Sequence, residues 1–262
     1  MSQNVCEYGL VLVVNKFPEV VVLAGGVGKR FRDANPDSPE KPLIQVFGAS
    51  QIVWALLGAV HSYPSSRIYI ASRSGLIGAL RNEVETALPG LLTEFVDIGE
   101  TTLGAAHSLK LFIENSKFLD RNSQLISCDN DCLSVISGPE APNFVSVMDS
   151  TNPGHCFVST SEEDVVRELH EKTIVGSLAL SGHYGFASSE SYLDFYEATV
   201  FDMREYFLSK VVTQAICNSV QFKAVTCNDY FSLGTPDEIQ SLDTKIKDFK
   251  LHDSVEFMEK NA

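Results

Sequence analysis

The strongest constraint on this chain is the junction at residues 20–30. Val20, Val21, Val22 and Leu23 form an unbroken apolar run. Ala24, Gly25, Gly26, Val27 and Gly28 follow it, and then Lys29 and Arg30. A short run with no polar alternation reads as a strand buried on both faces, inside a sheet covered by helices. The glycines let the chain turn sharply and bring backbone N–H groups close to a ligand that a Cβ would hold off. Lys29, Arg30 and the nearby Lys41 add positive charge. A bend lined with amides and cations suits a polyphosphate.

Two familiar phosphate loops do not fit. A P-loop requires Ser or Thr after its lysine, and Arg30 follows Lys29. A dinucleotide fingerprint requires a third glycine where Phe31 stands. The segment LAGGVGKRF followed by PEKPLIQVFG resembles instead the signature of the sugar-nucleotide pyrophosphorylases, the NTP-transferase family. The matching residues are Leu23, Ala24, Gly25, Gly26, Gly28, Arg30, Lys41, Pro42 and Leu43. This resemblance implies an α/β fold: a single Rossmann-like (GT-A-like) nucleotidyltransferase domain with a mixed, mainly parallel sheet, over residues 19–262. Residues 1–18 are left as an N-terminal extension.

Composition narrows the classes. The 262 residues are 44% hydrophobic, enough for a sizeable core, and the formal net charge is −14. Such acidity argues against nucleic acid as a partner and makes the basic residues of the glycine loop a local exception. The apolar run at 9–14 is too short to span a membrane and lacks signal-peptide flanks, so the sequence predicts a cytoplasmic protein with no membrane partner. Six cysteines with no C-x-x-C spacing read as reduced, structural thiols.

Along the chain, helical spacing at 51–63, 76–88, 189–196 and 204–217 alternates with apolar strands at 67–71, 93–98, 124–128, 143–148, 156–160 and 222–227. A strand is also expected within 174–186. His61 receives no role, and His183 is read as a surface residue as readily as a pocket one. Thr235, Pro236 and Glu238 carry the signature of a capping box at the start of a last helix.

The strand at 124–128 ends in Asp129, Asn130 and Asp131. Carboxylates at the C-terminal end of a parallel strand lie where open α/β sheets bind ligands, and an Asp pair is a hard-oxygen site suited to Mg2+. The resemblance implies that Asp129 holds Mg2+, with Asp131 a second candidate. It also implies nucleotide contacts from the loop at 101–104, including Thr102 and Gly104, although small residues there serve tight packing equally well. Glu171 and Lys172 resemble the family's acceptor-phosphate pair, and Gly182 and Tyr184 its acceptor segment. Gly234, Thr235 and Pro236 match the closing block, but Ser232 stands where many relatives carry a second metal-binding Asp. Asp229 or Asp131 would have to supply that carboxylate. Thr173 also replaces the usual proline after Lys172.

The implied activity joins a nucleoside triphosphate to a phosphorylated small molecule, foremost a sugar 1-phosphate, and releases pyrophosphate. Arg30, Lys41 and Asp129 are its expected catalytic residues. Leu23, Ala24, Gly25, Gly26, Gly28 and Lys29 are expected at the nucleotide. A non-catalytic nucleotide- or sugar-nucleotide-binding regulator is the alternative, and a dehydrogenase a distant third. Base, acceptor and homo-oligomerisation are left open, and no β-helix repeats follow the catalytic region.

Overall fold

The computed structural model describes residues 17–138, 141–202 and 205–242. The expected apolar run at 9–14, Cys6 and Arg204 lie outside these residues.

The first strand, β1 (Glu19–Leu23), is wholly buried. Alternation of side chains divides it: Val20 and Val22 enter one core, Val21 and Leu23 the other. That double burial is why the run has no polar member. A short helix α1 (Lys29–Ala34), a small hairpin of β2 (Gln45–Val46) and β3 (Ala49–Ser50), and helix α2 (Gln51–Ser62) follow. Next come β4 (Arg67–Ser72), α3 (Ile77–Ala87), β5 (Thr93–Asp97), α4 (Ala105–Asn115), β6 (Leu125–Asp129) and β7 (Cys132–Ile136). The second half holds β8 (Phe144–Asp149), β9 (Cys156–Thr160), β10 (Val166–Glu171), β11 (Leu178–Phe186), α5 (Ser189–Ala198), α6 (Leu208–Cys217), β12 (Lys223–Ser232) and α7 (Pro236–Ser241).

Ten strands form one sheet, ordered β5-β4-β1-β6-β11-β8-β12-β7, with the β9–β10 hairpin attached through β11. Neighbours β5, β4, β1 and β6 are parallel. Strand β11 runs against β6 and β8, β12 runs with β8, and β7 runs against the far end of β12. Only β7, β10 and β11 are reversed, so the sheet is mixed and mostly parallel, as expected. Helices α2 and α3 pack on one face; α4, α5 and α6 pack on the other. The chain winds from β1 outward to β5 and then returns to place β6 on the other side of β1. The C-terminal ends of β1 and β6 therefore flank the switch point at which open α/β sheets form a ligand crevice.

Helix α2 is buried almost all round, its residues from Gln51 to Val60 included. Each of its fully buried aliphatic side chains contributes roughly 1.5–3 kcal/mol. Trp54 Nε1 donates to the Val46 carbonyl at 2.8 Å, which fixes the small hairpin. Gly58 lets α2 lie against β7, because a Cβ there would come 2.6 Å from the Ser134 carbonyl oxygen.

Several local expectations change. Residues 132–136 form an unanticipated strand, and the residues after Lys29 are helical rather than loop. Strand β12 continues to Ser232, five residues beyond the expected end at Cys227, because its second half pairs with β7. Helix α6 begins at Leu208, leaving Glu205 and Tyr206 in irregular chain. His183 is a core residue, 2% exposed, with its Nδ1 3.1 Å from the Tyr63 hydroxyl. Burial pushes its pKa down to about 4, so it is neutral. Cys128, Cys132, Cys156, Cys217 and Cys227 are free thiols. No helix among the described residues is long and apolar enough to cross a membrane.

Candidate active site

The glycine turn rests on a rigid strand end. Ala24 N donates to the Ala71 carbonyl and Ser72 Oγ to the Ala24 carbonyl, both at 2.8 Å, which ties the end of β1 to β4. Leu23 and Ala24 are buried, so they offer backbone and packing rather than side-chain chemistry. Gly28 has φ 66°, and a Cβ there would come 2.8 Å from Lys41 Cβ. A left-handed residue without a side chain is therefore required, both for the turn and for the approach of Lys41. No atom lies within 4 Å of the place where a Gly26 Cβ would be, so this part of the turn is open. Buried Phe31 anchors α1, leaving Lys29 and Arg30 exposed on its first turn.

The acidic residues stand directly opposite. Asp129 is the last residue of β6 and pairs in register with Leu23 on β1. Asn130 Nδ2 donates to the Leu23 carbonyl and joins the two strand ends. Asp131 then meets the cations: Lys41 Nζ donates to its Oδ2 at 2.6 Å, and Arg30 Nη2 lies 3.8 Å from the same oxygen. The glycine turn and the Asp pair thus share one cleft.

The two carboxylates differ electrically. Burial pushes the Asp129 pKa up, and the nearby Asp131 charge pushes it further; Lys41 offsets part of this, and Glu171 adds to the rise. Burial also favours the neutral form of Asp131, but the Lys41 charge and hydrogen bond and the Arg30 charge outweigh it and hold that carboxyl below the usual range. Gly182, at φ 98°, makes room for Asp129, since a Cβ there would lie 3.2 Å from Asp129 Cβ and 3.3 Å from its Oδ2. Gly182 is therefore a neighbour of the Asp pair.

The last strand and helix close one wall. Leu233 N donates to the Asp131 carbonyl at 2.7 Å, and Gln51 Nε2 donates to the Leu233 carbonyl at 2.7 Å. The place of a Gly234 Cβ lies 3.1 Å from Asp131 Oδ2 and 3.3 Å from Glu238 Oε2. Thr235 caps α7 by accepting from Glu238 N at 3.2 Å, as expected. The Glu238 carboxylate does not complete the box on the cap's backbone. It accepts from Thr235 Oγ1 and Asn152 Nδ2 at 2.9 and 3.0 Å, and His155 Nε2 lies 3.4 Å away. Burial raises its pKa, but the bonds to His155, Thr235 and Ser232 outweigh that and keep it ionised.

The remaining expected residues fall into place unevenly. Asp229 pairs with Val135, away from the end of β12, whereas Ser232 pairs with Cys132 beside Asp131. Asp229 is exposed and is not brought to the Asp pair. Glu171 ends β10 and accepts from Ser209 Oγ at 2.8 Å. Lys172, at φ 56°, places its Nζ 4.9 Å above the Phe207 ring. Tyr184 is buried, 8% exposed, with its ring in the core, so its side chain is not an open pocket wall. Gly104 has φ 141° and would drive a Cβ to 2.7 Å from the Tyr206 backbone, a packing requirement sufficient by itself. Thr102 Oγ1 bonds Ser108 Oγ at 2.8 Å.

Among the described residues, no group of three or more His, Cys, Asp or Glu side chains is arranged to hold a metal ion. Mg2+ does not require such a cage, because one or two carboxylates with phosphate oxygens and water complete its shell. The Asp129–Asp131 pair suits that role: its oxygens are hard, and the charge of the first carboxylate is only partly offset, by Lys41.

Sequence reasoning missed Glu40, Arg73, Asn152, His155 and Glu238 as neighbours of the cleft. Arg73 could have been found, being a cation immediately after a strand parallel to β1. The others depend on contacts across distant segments.

The chain has the fold of nucleotide-sugar pyrophosphorylases and related nucleotidyltransferases. A nucleoside-diphosphate-sugar pyrophosphorylase from Vibrio cholerae RC9 superposes with a TM-score of 0.73 at 17% identity, over 84% of this chain and 98% of that one. An inositol-1-phosphate CTP transferase from T. maritima gives 0.67 at 18% identity, over 94% and 96%. A putative glucose-1-phosphate thymidylyltransferase from Bacillus anthracis gives 0.68 at 16% identity, over 85% and 92%. No family model and no curated protein matches the sequence.

Proposed function

We propose that this protein is a nucleotidyltransferase that joins a nucleoside triphosphate to a phosphorylated small molecule, with a sugar 1-phosphate the leading candidate. The observation that carries this reading is the convergence of Arg30 and Lys41 on Asp131, beside Asp129, at the sheet's switch point. The solved structures of like fold include proteins named for transfer to glucose 1-phosphate and inositol 1-phosphate, which supports the same class.

An oxygen of the acceptor's phosphate attacks the α-phosphorus in line. The bond from that phosphorus to the bridging oxygen breaks, and pyrophosphate leaves with the electron pair. The nucleophile is already an anion, so no general base is needed; what matters is alignment and charge neutralisation. The amides around Gly25, Gly26 and Gly28, with Lys29 and Arg30, hold the β- and γ-phosphates. Lys41 lies near the α-phosphate, and Lys172 holds the acceptor phosphate. Asp129 and Asp131 would hold Mg2+, which supplies further neutralisation of the phosphate oxygens. Thr102 and Gly104 line the nucleoside side, while Glu171 and Gly182 border the acceptor side.

The second reading, a nucleotide-binding regulator without turnover, is favoured by Ser232 and by Asp131 already engaging both Arg30 and Lys41. One experiment separates them. Each triphosphate is mixed with Mg2+ and a panel of sugar 1-phosphates and other phosphorylated acceptors, and released pyrophosphate is measured. A productive pair is expected, and Arg30→Ala should then cost roughly 2–4 kcal/mol of transition-state stabilisation. Triphosphate binding with no release from any pair would establish the regulator instead.

A further inference from the structure

Between Gly28 and Lys41 the chain crosses an exposed stretch at 32–37, and Lys41 must still arrive against Gly28 and reach Asp131. The residue just before Lys41 is tied down twice. Glu40 Oε2 accepts from Arg73 Nη2 at 2.6 Å and pairs with Arg32 Nη2 at 2.8 Å. Arg73 is well placed to be the fixed end of this tie. Its side chain is 17% exposed, and it follows β4, whose last residue, Ser72, bonds the start of the glycine turn. Its other neighbour, Ser74, donates from its N to the Gly99 carbonyl at 3.0 Å and from Oγ to Asp97 Oδ1 at 2.8 Å. The backbone on both sides of Arg73 is therefore held by the sheet. On the far side of Glu40, its own carbonyl accepts from Leu43 N at 2.8 Å and starts the tight turn at Lys41–Leu43, in which Pro42 is buried.

We propose that Arg73 is a positioning residue for Lys41, acting through the Glu40 carboxylate. Guanidinium and carboxylate form a short charge-assisted bond in a half-buried place, where solvent screens it little. Its effect is to set where the next residue's side chain begins, so that the Lys41 ammonium reaches the cleft and not solvent. Glu40 has a second consequence: it engages Arg32 and Arg73, whereas Arg30 and Lys41 turn to Asp131 instead. The catalytic part of this inference rests on the nucleotidyltransferase reading; the placement of Lys41 does not.

The test uses the full chain with Arg73→Ala, Arg73→Lys and Glu40→Gln. Acetylation by a water-soluble reagent is followed by peptide mass spectrometry, and the rate at Lys41 is compared with that at exposed, remote Lys117. Lys41 should react several-fold faster in Arg73→Ala and Glu40→Gln than in wild type, with Arg73→Lys restoring much of its protection. If pyrophosphate release is established, Arg73→Ala and Glu40→Gln should lose about tenfold in kcat, with KM for the triphosphate within about threefold. An unchanged Lys41 rate in folded Arg73→Ala, even with a lowered melting temperature, would overturn the proposal and leave Arg73 a stability residue only. Should Arg73→Ala not fold, the Glu40→Gln rate decides in the same way. Absence of pyrophosphate release from the wild type would count against the enzymatic reading alone, since the labelling result stands without turnover.

Discussion

Asp129 carries the least compensated charge in the cleft. Its carboxyl is pushed up to about 7 by burial first and then by Asp131, against an ordinary value near 4 in an unfolded chain. A group whose pKa rises on folding contributes stability that is fully present below the unfolded value and is lost as pH climbs through the folded one. The metal-free protein should therefore become less stable between about pH 4 and pH 8, and Asp129→Asn should flatten that decline. If Asp129 holds Mg2+ as proposed, the ion competes with the proton there, so its affinity should rise with pH and level off above about 7, releasing up to about one proton per ion. Melting curves across pH, with and without Mg2+, and calorimetry in buffers of different ionisation heat check both. A metal-free stability that does not fall relative to Asp129→Asn would remove the argument. The sequence pointed to Asp129, Arg30 and Lys41 through local pattern. It could not show that Lys41 and Arg30 meet at Asp131, because that depends on side-chain approaches between distant segments, 90 residues apart for Lys41.

At the scale of single elements, two helical glycines show how packing overrides propensity. Alanine is favoured over glycine in a helix interior by about 1 kcal/mol. Gly78, near the start of α3, has no atom within 4 Å of its missing Cβ, so Gly78→Ala should raise the melting temperature. Gly58 in α2 would put its Cβ against the Ser134 backbone carbonyl, which cannot rotate away. Gly58→Ala should therefore destabilise, with overpacking costing about 1–3 kcal/mol and exceeding the propensity gain. Thermal unfolding of both variants checks the opposite signs; a stabilised Gly58→Ala would mean that α2 and β7 are less closely packed. Helix α2 was legible because its apolar spacing is local. Strand β7 was not, since its five residues carry no distinctive period and its partner, β12, is drawn from the far end of the chain. The same pairing extended β12 to Ser232, beyond a boundary that local composition suggested.

For the whole molecule, the net charge of −14 sets the surroundings in which a few cations act. Long-range repulsion opposes extended polyanions, while on the proposed function a compact triphosphate would meet the cations of the glycine turn within about a Debye length. Neither duplex nor single-stranded nucleic acid should produce a mobility shift at about 50 mM salt, whereas a labelled triphosphate should bind; a salt-sensitive nucleic-acid shift would contradict this account. The doubly buried run at 20–23 and its glycine bend are sufficient to dictate an inner strand followed by a tight turn, because both follow from side chains and backbone freedom within a few residues. They also carry the resemblance on which the α/β fold was expected. Which carboxylate accompanies Asp129, why Asp229 stays apart, and what anchors Lys41 are decided only when β1, β6, β12 and α7 meet. Those outcomes are distances between segments far apart in sequence, which only the assembled sheet sets.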